Sequence, residues 1–231
     1  MPDITIQGPD GAFGAYLALP AQTPAPGLVV AQEIFGVNQV MRDTCDWLAG
    51  AGFVALCPDL FWRIEPGIQI TDKTEAEWQR AFELFNAFDV DKGIEDMTAA
   101  LGHLRAHEAC TGKAGSIGYC LGGKIAYLMA TRSDADANVA YYGVGLDDLV
   151  GEAGHISKPL MLHIPSKDRF VPPDAQAAVK AALADHPRVT IHVYEGQDHA
   201  FARRGGEHYD EAAATAANER SLAFLHGSLG Q

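Results

Sequence analysis

Apolar residues in this chain fall into two patterns. Short continuous runs occupy 4–7, 15–19, 27–32, 53–57, 114–118, 138–142, 159–164 and 189–194. Unbroken runs of that length predict strands, and the middle ones predict strands covered on both faces. Between them, apolar positions recur every three to four residues over 39–51, 74–87, 90–106, 121–131, 172–184 and 207–225. That spacing predicts helices with one buried stripe. From residue 27 onward the two patterns alternate, as in a wound, mostly parallel sheet of about eight strands flanked by helices. The first two runs flank Pro9-Asp10-Gly11, so they predict an antiparallel hairpin at the N-terminal edge. The fold class is therefore α/β, in a single domain over residues 1–231.

One segment breaks the alternation. Residues 62–89 contain the loop Glu65-Pro66-Gly67 and then a helix carrying Trp78, Phe82, Phe85 and Phe88. The spacing of these aromatics fits core packing and a roof over a ligand cleft equally well.

The run at 114–118 leads straight into Gly118-Tyr119-Cys120-Leu121-Gly122-Gly123 and then a helix. A strand, a sharp turn and a helix around G-x-[nucleophile]-x-G make the nucleophile elbow of α/β-hydrolases, here with cysteine in the usual place of serine. Glycines are needed because strand and helix nearly touch at a strained residue. The turn aims the thiol outward and leaves the Leu121 amide, at a helix N-terminus, facing any oxyanion beside the sulfur.

Such a nucleophile needs a base, and the base needs an orienting acid, in the chain order nucleophile, acid, histidine. Asp168 follows the apolar run 159–164, and His199 follows the run 189–194. Both lie on loops after strands, the edge where open α/β sheets collect ligands. Asp198 adjoins His199, but neighbouring side chains diverge, so Asp168 is the preferred partner. Glu33 ends the apolar run 27–32; a carboxylate there is either a surface loop residue or a group that governs the thiol's proton. The following amide, of Ile34, is the expected second oxyanion donor.

Composition narrows the partners. Of 231 residues 48% are hydrophobic, and 30 acidic against 17 basic side chains give a net charge of −13. This is a globular chain without the basic face of a nucleic-acid binder. No apolar run nears the roughly 20 residues of a membrane span. The start, Met1-Pro2-Asp3-Ile4-Thr5, has no signal-peptide pattern. Cys45, Cys57, Cys110 and Cys120 lack zinc spacing, and His103 and His107, four apart on a helix, lack a further ligand, so no metal or other cofactor is expected. Free thiols without an export signal point to the cytoplasm.

Several blocks together resemble the dienelactone hydrolase (carboxymethylenebutenolidase) family. They are Ala31-Gln32-Glu33-Ile34-Phe35-Gly36-Val37-Asn38, Cys57-Pro58-Asp59-Leu60, Ala87-Phe88-Asp89, the Gly118–Gly123 elbow, Tyr141-Tyr142-Gly143-Val144-Gly145, Asp168-Arg169-Phe170-Val171-Pro172, His199-Ala200-Phe201-Ala202-Arg203 and Ala217-Asn218-Glu219-Arg220. The resemblance implies a monomeric, metal-free cytosolic enzyme that opens dienelactone to maleylacetate. It implies Cys120 as nucleophile, His199 as base, Asp168 as orienter, Glu33 as the carboxylate that helps form the thiolate, and Arg203 as the anchor of a substrate carboxylate. The family's second arginine and its tyrosine are replaced here by Trp78 and Phe82, which suits a bulkier or less polar lactone or ester; Arg80, two residues along, faces elsewhere. Phe35 and Tyr141 complete the candidate substrate contacts, core burial being an equally open reading of Tyr141.

The expected chemistry is an acyl-enzyme route. Glu33 opposes the thiolate by like charge, so the thiol is expected to rest neutral until substrate displaces that carboxylate. The alternatives are a general carboxylesterase or thioesterase with no lactone role, and a hydrolase-like thiol redox or binding protein.

Overall fold

The computed structural model describes residues 3–230; the start Met1-Pro2 lies outside the described residues. Eight strands form a mostly parallel sheet with an antiparallel pair at its N-terminal edge. The chain divides into two compact units after Ser116.

In the first unit, β1 (Asp3–Gly8) and β2 (Gly11–Ala18) form the expected hairpin, with Ile6 opposite Phe13. β2 pairs antiparallel with β4 (Val54–Pro58), and β4 pairs parallel with β3 (Ala25–Ala31). The order is β1-β2-β4-β3, followed by the first residues of β5 (Cys110–Tyr119). Leu28, Val29, Val30, Val54, Ala55 and Leu56 are fully buried, which explains why these strands read as unbroken apolar runs. β5 begins four residues earlier than its apolar run, because 111–113 are exposed and polar yet still extended.

Three helices belong to this unit: α1 (Gln39–Gly50), α2 (Glu75–Ala87) and α3 (Val90–Ala106). Each starts on a capping side chain. Asn38 accepts from the Met41 amide, Thr74 from the Glu77 amide, and Asp89 from the Lys92 amide. The Thr74 hydroxyl also donates to the Glu77 carboxylate, at 2.9 Å. α1 packs on β4 and β2, and α3 on β3, β1 and β4. Buried Asp96 on α3 takes hydrogen bonds from Trp62 Nε1 and the Arg63 guanidinium, which ties the irregular chain after β4 to that helix.

In the second unit, the last residues of β5 lead to β6 (Asn138–Tyr141), β7 (Leu160–Pro165) and β8 (Val189–Tyr194), all parallel. α4 (Leu121–Arg132) is apolar around nearly its whole circumference and packs on β6. α5 (Pro173–Leu183) packs on a 3₁₀ segment, Asp147–His155, which the apolar spacing does not mark because none of its residues is buried. α6 (Glu211–Leu229) starts and ends four residues later than its pattern predicts, since Asp210 caps it through the Ala213 amide.

Candidate active site

β5 ends at Tyr119 and α4 begins at Leu121, so Cys120 alone makes the turn. Its φ of 58° and ψ of −115° lie in a region that non-glycine residues rarely occupy. The Cys120 amide donates to Tyr141 O at 3.1 Å, and its carbonyl accepts from Lys124 N at 3.2 Å. Its side chain makes no cap hydrogen bond to the helix. Gly123 is what lets α4 approach β6: a Cβ there would lie 2.4 Å from Tyr141 O and 2.8 Å from Gly143 Cα. The Leu121 amide sits in the first turn, where no intrahelical acceptor exists.

The loops after β7 and β8 are laced together. Ser166 N donates to Tyr194 O, Lys167 N to Gln197 O, and Gly196 N to Ser166 Oγ, all at 2.8–3.0 Å. Arg169 meets Asp198 through its amide (2.9 Å) and its Nε (3.1 Å). This lacing carries Asp168 and His199 to each other. His199 Nδ1 lies 3.0 Å from Asp168 Oδ1 and 2.9 Å from Oδ2, with both side chains buried. The Phe170 amide donates to Asp168 Oδ1 at 2.9 Å. Asp198 instead accepts from the His199 amide and from Arg169. Burial works against its charge, but these donors hold its carboxyl below the usual range.

His199 Nε2 is buried without a hydrogen bond of full geometry, and the sulfur of Cys120 is the group that acts on it. Burial pulls the imidazole's pKa down. The neighbouring sulfur of Cys120 and the hydrogen bond donated to Asp168 outweigh that and push it up to about 10. Tyr142, with φ of 38°, packs its ring against the imidazole at 5.0 Å, and Phe170 does so at 4.9 Å. Spacing gives no sign of these two ring contacts; only the tyrosine pair at the end of the apolar run and the aromatic two residues past the acid hint at them.

Other candidates divide by position. Arg203 is 8% exposed, in a turn closed by its amide on Ala200 O at 2.9 Å. Tyr141, for which a place on the cleft and core burial were equally open, lies in the core. It is fully buried, and its hydroxyl meets Asn218 Oδ1 (3.0 Å) and Ser221 Oγ (2.7 Å). In the first unit, Glu33 and Ile34 are buried, so Glu33 is no surface loop residue. Gly36, at φ 76°, holds that block in place: a Cβ would meet Ile68 O at 1.9 Å, and the residue bridges to Gln69. Buried Phe35 packs edge-on against Trp78 (5.1 Å), which stacks on Phe82 (5.7 Å). Phe82 is 41% exposed, so this aromatic row reaches solvent and is not wholly core. Arg80 is engaged by Glu83 and Glu65 at 2.9 and 2.6 Å. Among the described residues, no group of three or more His, Cys, Asp or Glu side chains could hold a metal ion, and no helix is long and apolar enough to cross a membrane.

The strand order and the strand–turn–helix at Cys120 are those of an α/β-hydrolase. The chain belongs to the dienelactone hydrolase family, whose profile matches residues 13–229. A protein of Azospirillum brasilense is 56% identical over 233 residues, spanning 100% of both chains. The carboxymethylenebutenolidase of Pseudomonas putida is 41% identical over 223 residues, 96% of this chain and 94% of the relative. A Klebsiella pneumoniae crystal structure, 28% identical, superposes with a TM-score of 0.86 over 97% of each chain. Dienelactone hydrolase from Anabaena variabilis, at 16% identity and TM-score 0.72 over 99% of this chain and 97% of that one, shares the fold. The protein is a hydrolase acting on a lactone or ester.

Proposed function

We propose that the protein opens a small unsaturated lactone, dienelactone to maleylacetate or a bulkier relative, through a cysteine acyl-enzyme. The observation that carries this reading is the pairing of buried His199 with Asp168 beside a strained, glycine-bracketed Cys120. The Cys120 thiolate attacks the lactone carbonyl, forming a C–S bond and an oxyanion. The amides of Leu121 and Ile34 receive that oxyanion, the Ile34 assignment resting on the family resemblance of the block from Ala31 to Asn38. Collapse breaks the ring C–O bond and releases an enolate that takes a proton from the His199 imidazolium. Neutral His199, oriented by Asp168, then removes a proton from water. The resulting hydroxide attacks the thioester, and the acid leaves with the thiolate restored. Glu33 adjusts the thiol's protonation, and Arg203 pairs with the substrate's carboxylate.

With Trp78 and Phe82 in place of charged or phenolic contacts, a substrate of larger apolar surface is accommodated. The four cysteines are free thiols, in keeping with a reducing cytoplasm, and the enzyme acts as a monomer without nucleic-acid or membrane partners. The test is a panel of dienelactone, larger lactones and p-nitrophenyl acetate, with mass spectrometry of the quenched enzyme. A thioester adduct on Cys120 and a lactone preference support the reading. Equal turnover of all esters favours a general esterase, and turnover by Cys120→Ala would end the mechanism.

A further inference from the structure

Two aromatic rings touch the imidazole of His199, and neither belongs to the triad. Tyr142 comes from the end of β6, and Phe170 from the loop after β7. The Tyr142–His199 centroid distance is 5.0 Å with the planes at 61°; for Phe170 the values are 4.9 Å and 83°. Both are edge-to-face geometries, which have a preferred orientation that aliphatic packing lacks.

Each residue also carries a main-chain contact to the same machinery. The Phe170 amide donates to Asp168 Oδ1 at 2.9 Å while its ring meets the base that this acid orients. Tyr142 follows Tyr141, whose carbonyl accepts the Cys120 amide, and the Tyr142 amide donates to His163 O at 2.9 Å. The dipeptide therefore fixes the nucleophile through its main chain and the base through a ring. Tyr142 does so at φ 38°, unfavourable for a bulky side chain and sustained only where the surroundings determine it. Its ring is 2% exposed, whereas Phe170 is 42% exposed. A large aromatic left that open is not there to fill a core.

We propose that Tyr142 and Phe170 are positioning residues for His199, two rings that clamp its imidazole so that Nδ1 stays on Asp168 and Nε2 is left for the sulfur of Cys120. The inference rests on the triad reading above. The clamp acts through imidazole orientation, so it governs turnover and not substrate affinity.

Phe170 gives the cleaner test, because an exposed side chain can be changed without unfolding the protein. Phe170→Leu removes the ring and keeps apolar bulk; Phe170→Tyr keeps the ring. With p-nitrophenyl acetate, Phe170→Leu is expected to lower kcat about three- to tenfold, the span that edge-to-face pairs contribute, with KM unchanged and Phe170→Tyr restoring kcat. Tyr142→Leu and Tyr142→Phe repeat the comparison, with thermal unfolding followed in parallel. An unchanged kcat in Phe170→Leu, a change confined to KM, or a loss that Phe170→Tyr does not restore overturns the clamp. His199→Ala and Cys120→Ala run alongside: if either retains activity, the triad reading fails, whereas if both are inactive and Phe170→Leu is not impaired, only the clamp fails.

Discussion

His199 Nδ1 sits within 3.0 Å of both carboxylate oxygens of Asp168, and the two side chains are buried together on loops that follow separate strands. A carboxylate in that position fixes the tautomer and stabilises the imidazolium. Asp168→Asn keeps the shape and removes the charge. It is expected to lower kcat/KM about 10²- to 10⁴-fold, since the amide can donate to Nδ1, which favours the wrong tautomer and leaves the imidazolium without a balancing charge. Asp198→Asn, at a carboxylate that meets the His199 amide, Arg169 and the His208 ring and not the His199 imidazole nitrogens, is expected to cost far less. Parallel steady-state assays of the two variants decide the matter, and similar losses would remove Asp168 from its special place.

The elbow depends on Gly123 for a reason that is purely steric. A Cβ would meet Tyr141 O at 2.4 Å and Gly143 Cα at 2.8 Å, both backbone atoms with nowhere to go. Gly123→Ala is therefore expected to cost about 1–3 kcal/mol, the usual range for overpacking, and to displace the Cys120 turn as α4 moves away from β6. Urea unfolding reads the first effect and the rate of Cys120 alkylation the second. Gly102→Ala, on α3 with nothing within 4 Å of the added methyl, is the unobstructed control, expected to gain about 0.5–1 kcal/mol from helix propensity and to leave the alkylation rate unchanged.

The core strands and most helix bounds were legible because burial on both faces writes continuous apolar runs and each cap writes a polar residue before its helix. The elbow was legible for a similar reason, as close approach demands glycine at Gly123. What pattern could not supply was side-chain direction. Tyr141 and Tyr142 are adjacent and chemically alike, yet one points into a hydrogen-bonded core and the other against His199. Alternation along the chain sends the two to opposite sides, but spacing does not say which of them meets the base. The 3₁₀ segment Asp147–His155 escaped because it buries nothing. The start of α6 slid to Asp210 because Glu207 and Tyr209 lie in turns that share its polar composition.

A second histidine makes stability depend on pH. His163 is fully buried, its Nδ1 2.7 Å from Tyr194 Oη and its Nε2 2.8 Å from Ser221 Oγ. Burial, aided by the charges of His192 and Arg220, pushes its pKa well below 6.5. The native ring therefore stays neutral in a window where the unfolded chain's imidazole binds a proton. Above pH 6.5 the two states bind equally and nothing is lost. As pH falls below 6.5 the unfolded state takes up the extra proton, and stability declines by up to about 1.4 kcal/mol per pH unit. His163→Gln, which cannot titrate, is expected to lose less stability between pH 7.5 and 5.5 than the wild type. Urea unfolding at both pH values gives the difference, and equal slopes would mean that His163 is protonated in the native state.

Tyr141 provides the last test, because its two readings predict opposite effects. Its hydroxyl bridges Asn218 and Ser221 on α6, and Ser221 in turn meets His163. Burial pushes the phenol's pKa far up, so it remains a neutral group within this chain of hydrogen bonds. Tyr141→Phe leaves the ring in place against Tyr119 and removes one buried bridge. A stability loss of about 1–2 kcal/mol is expected, as for other buried hydrogen bonds whose partner is left behind. The main-chain acceptor for the Cys120 amide is untouched by the substitution, so KM for an anionic lactone should not change. A KM raised severalfold with full stability would return Tyr141 to the substrate site.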